Sequence, residues 1–286
     1  MLHKPPGITS FKALDRLKSK KEKHKVGHTG TLDKFAEGLL IAVIGKMTKF
    51  SNYITDLHKE YFAEIRFGTE TDTLDPEGKV TATACRKPSY ETVKQSLDSH
   101  TGRIDQTPPV YSAVHSGGKR AYQLARNGVD PTLKPRDVHV YEIELISYEY
   151  PLLLIRVVCS KGTYIRSLAR DIARYCGTVA FVRKLKRTKI GPFLLSEAVS
   201  LEDVSLERHL IPPESIFSRL GFVHEARVKN GYAPHLLEGK KISPFFFRKE
   251  PQEAGLHAVF DGERRFLALI ERNEEGFSYK FTGKDS

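Results

Sequence analysis

The sequence predicts an α+β fold: a mixed, largely antiparallel sheet flanked by helices, with a small β-rich module at the C-terminal end. Two observations carry this. Strand signals outnumber helix signals, with alternating or branched apolar runs at 39–44, 59–68, 79–85, 138–148 and 152–160, and again at 226–228, 256–260, 265–270 and 277–281. Only 8–21, 90–100 and 163–175 have helical spacing. The length, 286 residues with 40% hydrophobic content, suits one large domain and one small one. The expected division is 1–218 and 219–286, because 200–219 is mixed in character and contains Pro212-Pro213.

A formal net charge of +11 points to a polyanion, with nucleic acid the first candidate. No stretch approaches the length of a spanning helix, so no membrane partner is expected. The opening Met1-Leu2-His3-Lys4-Pro5-Pro6 has no apolar signal region. Cys85, Cys159 and Cys176 are scattered and odd in number, which fits a reducing, cytoplasmic setting. Neither they nor the histidines show metal-ligand spacing; no metal is expected.

The elements follow in order. Lys4-Pro5-Pro6-Gly7 is an extended turn. In 8–21, Ile8, Phe11, Leu14 and Leu17 share one helical face, with Thr9 or Ser10 as cap. Its outer face and the next loop carry Lys12, Arg16, Lys18, Lys20, Lys21, Lys23 and Lys25, a phosphate-contacting surface. Then comes the glycine-rich stretch Gly27-His28-Thr29-Gly30-Thr31-Leu32-Asp33-Lys34-Phe35-Ala36-Glu37-Gly38, leading into an apolar run that reads as one buried strand over 39–44. A carboxylate in such a loop, Asp33, can be shielded from water and aimed by a rigid strand, although most such Asp residues only close their own turn. A phosphate-cradling loop is excluded: six residues separate Gly38 from Gly45-Lys46, and Met47 stands where a hydroxyl is required.

Residues 59–68 alternate as a strand with Tyr61 near its start. Prolines and paired glycines between 102 and 128 suit a hairpin with a movable tip bearing Lys119, Arg120 and Arg126. Gly162 ends a strand, and Thr163 can cap the helix to Tyr175, putting Arg166 in the first turn. An Arg there opposes the helix dipole and calls for an anionic partner. Residues 179–190 have one apolar face, including Leu185, and one strongly basic face with Arg183, Lys184, Lys186, Arg187 and Lys189.

Several motifs together resemble one family. They are G-H-T-G-T-L-D-x-x-A-x-G at 27–38; K-x-Y at 59–61 with Gly68-Thr69-Glu70-Thr71-Asp72-Thr73-Leu74-Asp75; Gln106-Thr107-Pro108-Pro109-Val110-Tyr111-Ser112-Ala113; and Cys159-Ser160-Lys161-Gly162-Thr163-Tyr164-Ile165-Arg166-Ser167-Leu168. The set resembles the TruB family of bacterial tRNA pseudouridine-55 synthases over 4–195. Departures are Lys34 where Pro is usual and His115 where Lys is common. The strand that usually precedes K-P-x-G is missing, which reads as a chain short at this end.

The resemblance implies a pseudouridine-synthase fold with a PUA-like C-terminal RNA-binding domain, and a mobile RNA-gripping insertion at 103–135. It implies isomerisation of uridine 55 in the tRNA T-loop, with Asp33 as nucleophile and Arg166 paired to it. Tyr61 stacks on the flipped base, Tyr164 and Leu185 wall the pocket, and His28 enters the stem-loop. It implies no cofactor, tRNA (the T stem-loop) as partner, and a monomer without an obligate protein partner. The rivals are an RNA-guided rRNA pseudouridine synthase of the same superfamily and a tRNA-folding chaperone that needs no chemistry.

Overall fold

Alternation of apolar side chains builds the centre of the structure, a computed structural model that describes residues 1–18 and 24–283. Two strands of the main sheet come first, β1 (Leu2–Lys4) and β2 (Glu37–Leu40). In the next, β3 (Lys59–Phe67), every second residue is buried: Lys59, Tyr61, Ala63, Ile65 and Phe67. Then follow β4 (Gly102–Gln106), β5 (Arg136–Glu149), β6 (Leu152–Cys159), β7 (Ala180–Ile190), β8 (Phe193–Leu194) and β9 (Val199–Ser200). These nine strands form one sheet in the order β9-β1-β2-β7-β3-β6-β5-β4, with β8 folded back on β7. Two neighbouring pairs are parallel, β1 with β9 and β2 with β7. The other pairs are antiparallel. The sheet is thus mixed and largely antiparallel, as expected.

Leu153, Ile155, Val157 and Cys159 of β6 lie on the same buried face as the β3 set. Helix α1 (Tyr90–Ser99) contributes Val93 and Leu97 to this core, and helix α2 (Ile165–Tyr175) contributes Leu168, Ala169, Ile172 and Ala173. Each fully buried Leu, Ile or Val adds about 1.5–3 kcal/mol relative to exposure, so this layer dominates the unit. The other side of the strands is polar, where Arg156 pairs with Glu60, Glu142 and Glu144.

Packing groups the residues into two units, each assembled from three segments of the chain. One unit comprises Met1–Ala13, Gly30–Ile41 and Tyr53–Leu201; the other comprises Leu14–Thr29, Ala42–Asn52 and Glu202–Ser286. The second unit is β-rich: β10 (Val223–Arg227), β11 (Gly255–Phe260), β12 (Phe266–Asn273) and β13 (Gly276–Thr282) form a four-stranded sheet in sequence order.

Several local expectations are corrected. The opening strand is present: β1 pairs with both β2 and β9. The 8–21 helix is a single short turn, Ser10–Ala13, followed by a tighter turn, Leu14–Leu17; Lys20, Lys21 and Lys23 lie outside the described residues. The apolar run 39–44 is two strands. Glu37–Leu40 joins the large sheet, whereas Ala42–Ile44 pairs with Val26–His28 in the second unit. Ile41, between them, is buried, so apolarity ran through a change of sheet.

Candidate active site

The loop carrying Asp33 is suspended from buried polar side chains. The Ser10 hydroxyl accepts from the Leu32 N–H at 2.8 Å and donates to the Leu32 carbonyl at 3.0 Å. Arg187, 1% exposed, donates from Nε to the Leu39 carbonyl (2.8 Å), from Nη1 to that of Thr31 (3.4 Å) and from Nη2 to that of Gly30 (3.2 Å). The fully buried Lys4 ammonium donates to the carbonyls of Pro5 and Ile8, each at 2.9 Å, and of Lys34 at 3.4 Å. Burial pushes the Lys4 pKa down to about 8, against the pull of Asp33. At Gly38 the φ is +118° and a Cβ would stand 2.3 Å from the Arg187 carbonyl oxygen. Only glycine lets β2 approach β7 this closely.

Asp33 faces Arg166 across the start of α2. Arg166 Nη2 donates to Oδ1 at 3.1 Å, and Nε stands 2.9 Å from Oδ2. The anionic partner expected for a first-turn Arg is therefore this carboxylate, and a second one too. Arg166 Nη1 reaches Asp75 Oδ2 at 3.3 Å and the Thr73 carbonyl at 2.8 Å, and Nη2 also donates to the Tyr111 carbonyl at 3.0 Å. The Arg166 side chain is 4% exposed and that of Asp33 34%. The carboxylate is thus aimed but not dry; it opens into the cavity.

That cavity, about 460 Å³, is lined by Asp33, Tyr61, Tyr164, Arg166 and Leu185, together with Lys59, Tyr111, Ser112 and Arg187. Its volume lies in the range of about 300–1,000 Å³ usual for ligand sites. Tyr61 and Leu185 come from neighbouring strands, with Arg187 opposite Tyr61 and Leu185 opposite Ala63 in the register. Burial raises the pKa of the Tyr61 hydroxyl, against the charge of Arg187 and a hydrogen bond from it. Burial also raises that of Tyr164, against the charges of Arg136 and Arg166. Five of the six predicted site residues share this cavity. His28 does not: it ends the Val26–His28 strand in the second unit, opposite Ala42.

Thr163 does not cap α2. Tyr164 is the N-cap residue, and its N–H donates to Gln106 Oε1 at 2.7 Å while Gln106 Nε2 donates to the Tyr164 carbonyl at 3.2 Å. The segment after β4 is anchored as well: Ser167 Oγ and Arg170 Nη2 donate to the Thr107 carbonyl at 2.8 and 3.0 Å. Beyond it, Lys119 and Arg120 are exposed on a two-residue strand paired with His115 and Ser116. Lys34, the departure beside Asp33, points outward to an exposed ion pair with Glu77 and leaves the carboxylate in place.

Sequence reasoning missed Asp75, Gln106, Arg187, Lys4 and Lys59 as parts of the site. A signal existed for Arg187, which lies two residues from Leu185 and so on the same strand face. Among the described residues no group of three or more His, Cys, Asp or Glu is placed to hold a metal ion, and no helix is long and apolar enough to cross a membrane.

The chain is similar to known proteins. The family model described as "TruB family pseudouridylate synthase (N terminal domain)" matches residues 17–165, and "tRNA pseudouridylate synthase B C-terminal domain" matches 166–215. A protein of Aromatoleum aromaticum named tRNA pseudouridine synthase B is 39% identical over 286 residues, covering 96% of this chain and 89% of that one. Its namesake in Borreliella burgdorferi is 46% identical over 220 residues, 76% of this chain and 78% of the relative. A solved structure titled "Crystal Structure of a Cbf5-Nop10-Gar1 Complex" superposes with a TM-score of 0.68 at 24% identity, covering all of this chain and 83% of that one; this likeness concerns the fold. The chain belongs to the TruB family of pseudouridylate synthases, enzymes that isomerise uridine within RNA.

Proposed function

We propose that the chain isomerises uridine 55 in the T-loop of tRNA to pseudouridine, with Asp33 as its nucleophile. The observation that supports this most is the Asp33 carboxylate gripped through both oxygens by a buried Arg166 at the edge of a nucleotide-sized cavity.

The C1'–N1 bond of a stacked nucleotide is out of reach, so the uridine is first everted into the cavity, which requires a few kcal/mol supplied by contacts to the flanking RNA. Tyr61 stacks on the uracil, Leu185 and Tyr164 wall it in, and His28 enters the stem-loop. The basic surface and the insertion at 103–135 hold the RNA backbone, with residues 219–286 as a PUA-like RNA-binding module. Arg166 keeps Asp33 ionised and oriented. The carboxylate attacks the nucleotide, C1' parts from N1, and the base turns to present C5. C1' bonds to C5, the Asp33 carboxylate is released, the C5 proton leaves and N1 takes one up. Atoms are conserved and nothing is oxidised or reduced, so the reading needs no cofactor. Bound RNA closes the cavity over the part-exposed Asp33.

Pseudouridine mapping in tRNA tests this. A strain deleted for the gene should lack pseudouridine at position 55, and the purified protein alone should restore it on a T-arm transcript. Modification that persists in the deletion strain, or an unmodified transcript, would overturn the reading.

A further inference from the structure

Charge in the cavity lining is unevenly partnered. Arg166 serves two carboxylates, Asp33 and Asp75, so that group carries one surplus negative charge. Lys59 and Arg187 line the same cavity, and neither has a carboxylate within ion-pair distance among the described residues. Lys59 donates to the carbonyls of Thr55 and Leu57, the latter at 2.6 Å. Arg187 donates to the carbonyls of Gly30, Thr31 and Leu39. Lys59 is 5% exposed and Arg187 1%. Unpaired buried cations are expensive, and packing alone would be served by Met or Leu. The two lie close enough that Arg187, after burial, is the largest influence lowering the Lys59 pKa to about 8. Groups that tolerate such a penalty inside a cleft are candidates for function.

We infer that Lys59 and Arg187 form a cationic floor that stabilises the negative charge gained by the uracil ring while it is detached from the ribose. The inference rests on the Asp33 chemistry proposed above. When C1'–N1 breaks, its electron pair stays on the base, which becomes anionic, and C1' is left electron-poor. C5 then supplies the pair for the new bond to C1', which neutralises the ring, and as the C5 proton departs N1 takes one up, so the ring stays neutral. The surplus negative charge of Asp33, Arg166 and Asp75 suits the C1' end of this separation, and the unpaired cations suit the base end. Such preorganised charge acts only while the charge on the base exists. Arg187 is also a positioning residue: it holds the Asp33 loop through the carbonyls of Gly30, Thr31 and Leu39.

The rate of a single turnover as a function of pH tests this. The groups around Lys59 are Arg187 from β7, Cys159 from β6, Tyr61 on its own strand, Asp56 and Lys161, which pair at 2.8 Å, and His58. Burial pushes the Cys159 thiol up to about 12, raises Tyr61 and lowers His58. Lys4, also near 8, holds the Asp33 loop from outside the cavity, so among the described residues of the lining Lys59 is the group that changes charge around pH 8. It is protonated below that pH, so the wild-type rate should fall above it by about tenfold per pH unit. Lys59→Arg keeps its charge and should remove this limb while retaining activity. Lys59→Met should turn over at least about 30-fold more slowly at pH 7, without the limb, and with tRNA affinity within about threefold of wild type. A limb unchanged in Lys59→Arg, or a Lys59→Met loss confined to tRNA affinity, overturns the inference. Should Lys59→Met fail to fold, Lys59→Arg decides alone. Asp33→Asn separates the two claims. If it turns over, the nucleophile reading fails. If it is inert while both Lys59 variants keep the wild-type profile, only the cationic floor fails.

Discussion

Replacing Arg166 with Met removes the one cation between two carboxylates, and its cost can be worked from the site. Arg166 makes hydrogen bonds or close ion contacts to Asp33, Asp75, Thr73 and Tyr111. Asp33 is part-exposed and can be solvated once freed. The Asp75 side chain is 7% exposed and cannot; it keeps only the Thr73 hydroxyl at 2.6 Å and the Glu77 N–H at 3.0 Å. A buried charge stripped of its partner costs about 3–5 kcal/mol, so Arg166→Met should lower the unfolding free energy by about that much. Burial already holds the Asp75 pKa above its usual value, against Thr73 and Arg166. Losing Arg166 raises it further. A carboxyl whose folded pKa exceeds its unfolded one loses stability as pH rises through that window. The deficit should therefore be smaller near pH 5 than near pH 8. Adding Asp75→Asn removes the stranded charge and should recover most of the stability but none of the turnover. Urea denaturation at both pH values, with single-turnover kinetics, reads all of this. A deficit under about 1 kcal/mol, one that grows toward acid, or turnover restored in the double variant would refute the reasoning.

Other outcomes follow from the same geometry. Gly38→Ala should destabilise by about 2–4 kcal/mol in urea, because its Cβ meets the Arg187 backbone at a positive φ. Stability should rise from about pH 8 to about pH 10, since Lys4 and Lys59, depressed to about 8, shed protons that the unfolded chain still holds; thermal melts in which Lys59→Met keeps the full rise would remove Lys59 from that account. Neutralising both Lys119 and Arg120 should weaken tRNA binding and make the plot of log K against log salt shallower, by about one unit of slope for each phosphate the two side chains neutralise, which titrations at several salt concentrations measure.

The sequence made some of this legible and not the rest, for physical reasons. Strict alternation in 59–67 exposes β3, because a period of two survives any tertiary context. Arg166 was legible through its position: a cation in the first turn of a helix needs an anion, and Asp33 supplies it. Arg187 was only half legible: its spacing from Leu185 puts it on the inward face, but it sits in a run of cations that reads as a solvated face. Leu39 to Ile44 reads as one strand because local apolarity does not reveal which sheet each half joins. β1 is three residues long and includes a buried lysine, against every hydropathy signal. The N-cap residue of α2, Tyr164, is held by Gln106, 58 residues away, and no window around Thr163 could contain it. Local chemistry was readable, whereas partners distant in sequence were not.

The central claim is that one carboxylate does the chemistry while the rest of the protein holds RNA. Its most direct measurement is pseudouridine formation by Asp33→Asn, with tRNA affinity determined on the same preparation. The account predicts no detectable pseudouridine even with enzyme in excess over tRNA, and affinity close to that of wild type. Conversion of uridine at an appreciable rate by that variant would contradict it.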